Sequence, residues 1–155
     1  MQTFTIETAT SEADVNAVKD LFLEYLAFVE DYLGQGLEFQ KTDEEFTTFP
    51  AFYDALYLAK IDGIAVAACG LKPFRGSICE LKRLYCQPTA RGKGIGRALI
   101  ELCLRDAKNR NYTEIYLDTD HGLVHANTIY EALGFKDIDR YYNNPMDSRF
   151  MGRKL

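Results

Sequence analysis

The chain has 155 residues, a net charge of −5 from 18 Lys and Arg against 23 Asp and Glu, and 47% hydrophobic residues. This composition is typical of a globular protein of one domain, and it excludes a disordered or fibrous chain. The acidic balance disfavours a nucleic-acid partner, because such proteins present a strongly basic surface, and it permits cationic partners such as amines.

The first part of the sequence predicts a strand and two helices. Alternating residues predict a strand over residues 3–9, and apolar residues at helical spacing predict a helix that starts at Ser11. Gly34 and Gly36 are expected to end that helix, and a short second helix is predicted over residues 42–49.

The second part predicts a hairpin and then an alternation of helices and strands. The turn Asp62-Gly63 between apolar runs at 56–60 and 64–71 is a strong hairpin signal. The elements predicted after it are a strand over 78–86, a helix over 94–110, a strand over 115–117, a helix over 123–133, and strands over 135–138 and 149–155. Hairpins followed by a strand–helix–strand pattern indicate an α+β (mixed α/β) fold, with a mixed sheet and helices on both faces.

The sequence contains no repeat, low-complexity segment or linker, so residues 1–155 are predicted to form a single domain. The N-terminus lacks a secretory signal, and the longest apolar run, residues 64–69, is far shorter than the ~20 residues that span a bilayer. Cys69, Cys79, Cys86 and Cys103 form no CxxC pair and are interpreted as reduced cysteines. The expected location is the cytoplasm, with no membrane partner.

The most informative segment lies between a predicted strand and a predicted helix, from Arg91 to Arg97. It contains three glycines at alternate positions, Gly92, Gly94 and Gly96. Glycine lets the backbone bend sharply and approach a ligand, and the free N–H groups at a helix start attract an anion. The segment also carries three cations, Arg91, Lys93 and Arg97. Together these features predict a phosphate or pyrophosphate ligand, although a turn that serves only packing would use the same glycines.

Two nucleotide-binding motifs fail at this turn. A Walker A motif needs Ser or Thr after Gly-Lys, where this chain has Gly94, and a glycine where it has Gln87. The Rossmann fingerprint needs Gly or Ala at a position that is Arg97 in one register and Leu99 in the other. A nucleotide-binding protein of either type is therefore disfavoured.

Three ordered motifs resemble those of the GCN5-related N-acetyltransferases. Arg91, Gly94 and Gly96 match the acyl-CoA signature Gln/Arg-x-x-Gly-x-Gly/Ala, and residues 79–86 resemble the strand that precedes it. Residues 126–135, Ala-Asn-Thr-Ile-Tyr-Glu-Ala-Leu-Gly-Phe, resemble the family's A-x-x-L-Y-x-x-x-G-F helix. These motifs cover about a third of the chain.

The resemblance implies a splayed sheet that holds acetyl-CoA between its fourth and fifth strands. The backbone of three strand residues would pair with the pantetheine arm: Leu84, Tyr85 and Cys86. The turn and helix start would hold the pyrophosphate: Arg91, Gly92, Lys93, Gly94, Ile95, Gly96 and Arg97. Where family members often carry an Asn that binds the cofactor, this chain has Leu123, and Asn127 one helical turn later is the candidate substitute.

Acetyl transfer to an amine needs a base and an acid. The resemblance places a general base at Glu80, eleven residues before Arg91. The alternatives are that a water chain serves as the base and that Glu80 pairs with Lys82 or Arg83. The resemblance places Tyr130 as the acid that protonates the departing CoA thiolate; the alternative is a tyrosine that only packs within its helix interface.

The remaining candidate residues are not predicted to bind a metal or to act as a nucleophile. His121 and His125 lie four residues apart without a third ligand, so no metal site is predicted; a histidine that lines the substrate cleft is the alternative role. Cys86 as a nucleophile in a ping-pong reaction is the less favoured reading, beside packing or backbone contact. Tyr141 and Tyr142 are expected in a loop, where they would gate the substrate or contact a partner.

The sequence thus predicts an N-acetyltransferase that acts by direct attack in a ternary complex. The acceptor is predicted to be a primary amine on a small molecule, amino acid, polyamine or peptide lysine. The alternative from another class is a non-catalytic acyl-CoA sensor or interaction module. A homodimer formed through the terminal strands is an expectation from the family resemblance alone.

Overall fold

The structure is a computed structural model that describes residues 3–33, 42–143 and 148–155. These residues contain seven strands and four α-helices. The strands are β1 (Thr5–Thr8), β2 (Ala55–Ile61), β3 (Ile64–Arg75), β4 (Ile78–Cys86), β5 (Glu114–Asp120), β6 (Lys136–Asp137) and β7 (Ser148–Lys154). The helices are α1 (Glu12–Leu33), α2 (Thr42–Thr47), α3 (Ile95–Asn109) and α4 (Val124–Ala132). The predicted helix end at Gly34 and Gly36 lies outside the described residues.

Two local signals in the sequence correspond to observed contacts. The Ser11 hydroxyl accepts a hydrogen bond from the Asp14 backbone N–H at 3.1 Å, which caps α1 as predicted. Asp62 and Gly63, with φ of 52° and 78°, both adopt the left-handed conformation that a tight hairpin turn between β2 and β3 requires.

Several strand lengths differ from the predictions, three of them through pairing with neighbouring strands. β3 continues to Arg75 and β5 continues to Asp120, because β4 and β7 pair with them beyond the apolar runs that predicted them. The strand predicted over 135–138 is reduced to Lys136–Asp137, opposite Gly152 and Met151 of β7. Tertiary pairing rather than local hydrophobicity sets these boundaries.

The strands form one mixed sheet in the order β1-β2-β3-β4-β5-β7-β6. All neighbouring pairs are antiparallel except β4 and β5, which are parallel. The mixed sheet of the α+β prediction is confirmed.

The sheet splays between its two parallel strands. β4 and β5 pair only from Ile78–Glu114 to Glu80–Tyr116, whereas β5 and β7 remain paired over seven positions. The remainder of β4, from Leu81 to Cys86, therefore has an edge towards β5 that no described strand covers. The predicted splay is confirmed, and it opens at Glu80.

Helices cover both faces of the sheet, as predicted. Side chains of α1, such as Val18 and Phe22, pack with Leu58 on one face, and Leu99 and Cys103 of α3 share a core with Tyr57 and its neighbours on the other. The alternation of side chains along β2 produces this division. Among the described helices, none combines the length and apolar character needed to cross a bilayer.

Candidate active site

A cleft of about 670 Å³ opens where β4 and β5 separate. Its walls are the end of β4, the turn into α3, the start of α4 and two aromatic side chains of α1. The lining residues are Tyr25, Phe28, Leu84, Tyr85, Cys86, Ala90, Arg91, Gly92, Gly94, Ile95, Gly96, Arg97, Gly122, Leu123, Val124, His125, Ala126 and Ile129.

A β-bulge changes the direction of the side chains at the end of β4. Between the pairs Ala68–Tyr85 and Gly70–Lys82, β4 contains one residue more than β3, and Arg83 there has a φ of 60°. The extra residue reverses the alternation, so Tyr85 packs towards α1 while Leu84 packs towards the α3 side. A non-glycine residue at positive φ beside a cleft is a strained position of the kind found at functional sites.

The glycine-rich turn has the geometry of an anion site. Gly92 and Gly94 have φ of 79° and 80°. A residue with a side chain would be strained in this backbone conformation, whereas glycine adopts it freely. Gly94 starts α3 without a side-chain cap among the described residues, and the residues of this first turn line the cleft, where their N–H groups can bind an anion. Gly96 differs from these two glycines in having an ordinary φ, and at all three positions an added Cβ would meet no neighbouring atom of the described residues within 4 Å.

The three cations of this segment have different positions. The Arg91 Nε donates to the Cys86 carbonyl oxygen at 2.9 Å, and its guanidinium lies 5.4 Å from the Phe28 ring centre. Arg97 lines the cleft and pairs with Glu101 at 2.8 Å. Lys93 is exposed and is not part of the described lining. Arg91 thus connects the turn to β4. The start of α3 and Arg97 together supply positive potential at the cleft.

Nine of the eleven residues predicted to hold the cofactor line this cleft, the others being Lys93 and Asn127. Asn127 is buried, accepts a hydrogen bond from the Thr119 hydroxyl at 2.9 Å and donates to the Asp120 carbonyl oxygen at 3.0 Å. Its amide therefore joins α4 to β5, and its role as a cofactor ligand stays a prediction.

Glu80 lies at the point where the splay begins, with only 6% of its side chain exposed. Its Oε2 accepts a hydrogen bond from the Tyr141 hydroxyl at 2.7 Å. The Lys72 Nζ is 3.7 Å from Oε1, and the Lys82 Nζ is 4.0 Å from Oε2. The pairing with Lys82 that the sequence suggested is thus present as a long contact.

A second carboxylate, which the sequence analysis missed, faces Glu80 across the splay. Asp118 of β5 accepts a hydrogen bond from the Tyr142 hydroxyl at 2.7 Å and lies 3.4 Å from the Lys82 Nζ. Lys82 therefore bridges the two carboxylates, and two adjacent tyrosines each donate to one of them. Alternation along β5 would have placed Asp118 on this face, but the strand was predicted to end before it.

Arg83 pairs with Glu45 of α2 rather than with Glu80. The two side chains are almost fully buried, with 2.8 Å between the Arg83 Nη2 and Glu45 Oε1 atoms, and the Tyr53 hydroxyl donates to the same carboxylate. Burial alone would lower the pKa of Arg83, but the hydrogen bonds and charge of Glu45 raise it above the ordinary value. This long-range pair fixes α2 against the bulge, and no local sequence signal indicates it.

Tyr130 of α4 is buried with its ring against Phe135, 5.7 Å between centres. Burial raises the pKa of Tyr130, and the charge of Asp118 also contributes. The hydroxyl has no hydrogen-bond partner among the described residues, and it stays protonated at neutral pH.

The side chains of α1 extend the site beyond the residues that were predicted to hold the cofactor. The Tyr25 and Phe28 rings lie 6.0 Å and 6.4 Å from the Tyr85 ring and line the cleft. Burial raises the pKa of Tyr25, while the charge of Arg83 opposes this shift.

Among the described residues, the cleft lining includes one histidine and one cysteine. His125 lines the cleft, and within the described ranges no group of three or more His, Cys, Asp or Glu residues is placed to hold a metal ion. Burial raises the pKa of the Cys86 thiol, which keeps it in the less nucleophilic protonated form.

Comparisons with known proteins identify the protein family to which this chain belongs. The model of the Acetyltransferase (GNAT) family matches residues 25–135. An uncharacterised N-acetyltransferase of Schizosaccharomyces pombe is 31% identical over 148 residues, which are 88% of this chain and 90% of that protein. The chain therefore belongs to the GNAT family of acetyltransferases and is an acyltransferase.

Solved structures agree with this fold. A GNAT acetyltransferase of Staphylococcus aureus superposes with a TM-score of 0.80 at 19% identity, covering 99% of each chain. An acetyltransferase of Salmonella typhimurium solved with acetyl-CoA superposes with a TM-score of 0.75 at 16% identity, covering 98% of this chain and 94% of that one.

Proposed function

We propose that this protein transfers an acetyl group from acetyl-CoA to a primary amine by direct attack in a ternary complex. The observation that carries the proposal is the cleft at the splay. It brings an uncapped helix start and an open strand edge together, and the buried Glu80 carboxylate lies where that open edge begins. The helix start and the strand edge are suited to binding the cofactor, and the carboxylate is suited to removing a proton from the amine.

The cofactor would lie along the open edge of β4. The backbone of Leu84 to Cys86 would pair with the pantetheine amides as an added strand, because β5 has diverged from this edge. The pyrophosphate would be held by the amides from Gly92 to Arg97, at the positive end of α3.

The amine must lose a proton before it attacks. With an ordinary pKa of ~10.4, an alkylammonium costs roughly 4.6 kcal/mol to deprotonate at pH 7, so a positioned base accelerates the reaction. Glu80 is the proposed base, acting directly or through water. It lies at the mouth of the splay, where the amine would approach the thioester.

Tyr130 is the proposed acid for the CoA thiolate, whose conjugate thiol has a pKa near ~8.5. A phenol of ordinary pKa would donate at a cost of about 2 kcal/mol, and burial of Tyr130 adds to this cost. The proton is nevertheless present throughout the neutral range, and no described group competes for the hydroxyl.

Release of free thiol from acetyl-CoA, measured with spermidine, L-aspartate, L-lysine and a lysine-bearing peptide as acceptors, tests the proposal. We expect thiol release that depends on one of these amines, with double-reciprocal plots that intersect when both substrates are varied. Parallel plots would indicate a ping-pong reaction instead. Acetyl-CoA binding without release by any amine would favour the sensor, and the predicted homodimer is tested separately by sedimentation.

A further inference from the structure

The Glu80 carboxylate has one hydrogen bond from the side chains that the structure describes, and Tyr141 donates it. Both lysines near the carboxylate lie at 3.7 Å or more, which is beyond hydrogen-bonding distance. Lysines at this distance neutralise charge without fixing the direction of the carboxylate. The direction of Glu80 is therefore set mainly by Tyr141.

Packing holds the Tyr141 ring in place independently of that hydrogen bond. Its ring centre lies 5.0 Å from Phe74, 5.2 Å from Tyr116 and 5.1 Å from Phe150, which belong to three different strands. Aromatic contacts at these distances stabilise by burial and ring geometry, and a phenylalanine would retain them. The hydroxyl is therefore the part of Tyr141 that the fold does not need for packing.

We propose that Tyr141 is a positioning residue for acetyl transfer, whose hydroxyl fixes the Glu80 carboxylate at the mouth of the splay. The inference rests on the proposed function only in taking Glu80 as the base. It assigns a role to a tyrosine of the segment before β7 that the sequence placed in a loop without a defined partner.

The groups around Glu80 determine how loss of the Tyr141 hydroxyl affects the Glu80 carboxylate. The titratable and charged groups that face it come from β3, β4, β5 and the segment before β7: Lys72, Lys82, Asp118, Tyr116 and Tyr142. These groups stay in place when Tyr141 is replaced by phenylalanine. Only the donated hydrogen bond is removed, and a carboxylate that loses a donor takes up a proton more readily.

The test combines Tyr141→Phe, Glu80→Gln and the double variant, assayed with the best amine of the panel above. We expect Tyr141→Phe to lower kcat/KM by about ten- to hundredfold, since a hydrogen bond to a charged group is lost, and to leave acetyl-CoA affinity unchanged. The acid limb of its pH profile should move to higher pH. In the Glu80→Gln background, the same change should have little further effect, because the two residues act as a unit.

Tyr57→Phe is the matched control, because the Tyr57 hydroxyl donates to the Asp106 carboxylate at 2.6 Å, away from the cleft. It removes the same type of hydrogen bond and should leave the pH profile unchanged. A readout independent of catalysis is the carbon-13 NMR titration of the glutamate side chains, with the Glu80 signal identified from Glu80→Gln. Its midpoint should move to higher pH in Tyr141→Phe and stay in place in Tyr57→Phe.

The outcomes separate the two proposals. Equal losses from Tyr141→Phe with and without Glu80, or an unmoved titration midpoint, would overturn the positioning role and leave Glu80 as the base. Full activity of Glu80→Gln would remove Glu80 from the reaction, and the positioning role of Tyr141 would then be overturned as well.

Discussion

Gly96 offers a direct test of where the cofactor's phosphates bind. It is the second residue of α3 and has an ordinary φ, unlike Gly92 and Gly94. Apart from its own helix turn, a Cβ at this position would meet no atom of the described residues within 4 Å. Neither backbone conformation nor internal packing therefore requires glycine here. If the position requires glycine at all, a ligand that approaches the first turn of the helix is the reason.

Gly96→Ala should consequently change stability and binding in opposite directions. Alanine is favoured over glycine within a helix by up to ~1 kcal/mol, so the free protein should gain about 0.5–1 kcal/mol and a Tm rise of roughly 1–4 °C. A methyl group facing the bound pyrophosphate would lengthen at least one hydrogen bond to a charged oxygen. Each such bond contributes about 1.5–3 kcal/mol, so the Kd of acetyl-CoA should rise by about ten- to hundredfold.

Calorimetric titration with acetyl-CoA and thermal unfolding without ligand measure the two effects. S-acetyl-pantetheine, which lacks the pyrophosphate, should bind Gly96→Ala as it binds the unmodified protein. Asn109→Ala, an exposed change at the opposite end of α3, is the control and should leave the affinity for both ligands unchanged. An unchanged acetyl-CoA affinity in a stabilised Gly96→Ala protein would refute the placement of the pyrophosphate at this helix start.

Three further predictions concern the acid, the cleft cysteine and the buried ion pair. Tyr130→Phe should lower kcat by tenfold or more with little change in acetyl-CoA affinity, and unchanged turnover would remove Tyr130 from the mechanism. Because burial raises the pKa of Cys86, incubation with labelled acetyl-CoA alone should leave no acetyl-cysteine in the mass spectrum, and a labelled Cys86 would support a ping-pong route. Glu45→Ala should destabilise the fold by about 3–5 kcal/mol, because it removes the carboxylate that forms a buried ion pair with Arg83. The exposed neighbour Glu44→Ala should change stability by less than about 0.5 kcal/mol, and equal effects in thermal unfolding would contradict this account.

Local patterns in the sequence were sufficient for the order of the elements and for most residues of the cleft that is proposed to hold the cofactor. The hairpin at Asp62-Gly63 and the start of α1 at Ser11 follow from turn and capping chemistry, which acts between residues close in the chain. The glycine-rich turn is equally local, since a strand, a bend and a helix start lie within a few residues of each other. For this reason nearly all residues predicted there from Leu84 to Arg97 line one cleft.

The surroundings of Glu80, where the acceptor is proposed to bind, depend on contacts that no local pattern records. Glu80 and Asp118 face each other because β5 lies beside β4 only as far as Tyr116, and Tyr141 reaches Glu80 from a segment 61 residues later in the chain. The ion pair of Arg83 with Glu45 likewise joins residues 38 positions apart.

The sequence by itself thus determined the fold class, the family resemblance and the segment that would hold the phosphates, because each depends on short-range periodicity and spacing. Only the tertiary structure decided where the sheet opens, which way the end of β4 faces after its bulge, and which groups surround Glu80. Strand pairing and long-range packing control those features. Their energies come from residues that meet only when the whole sheet has formed.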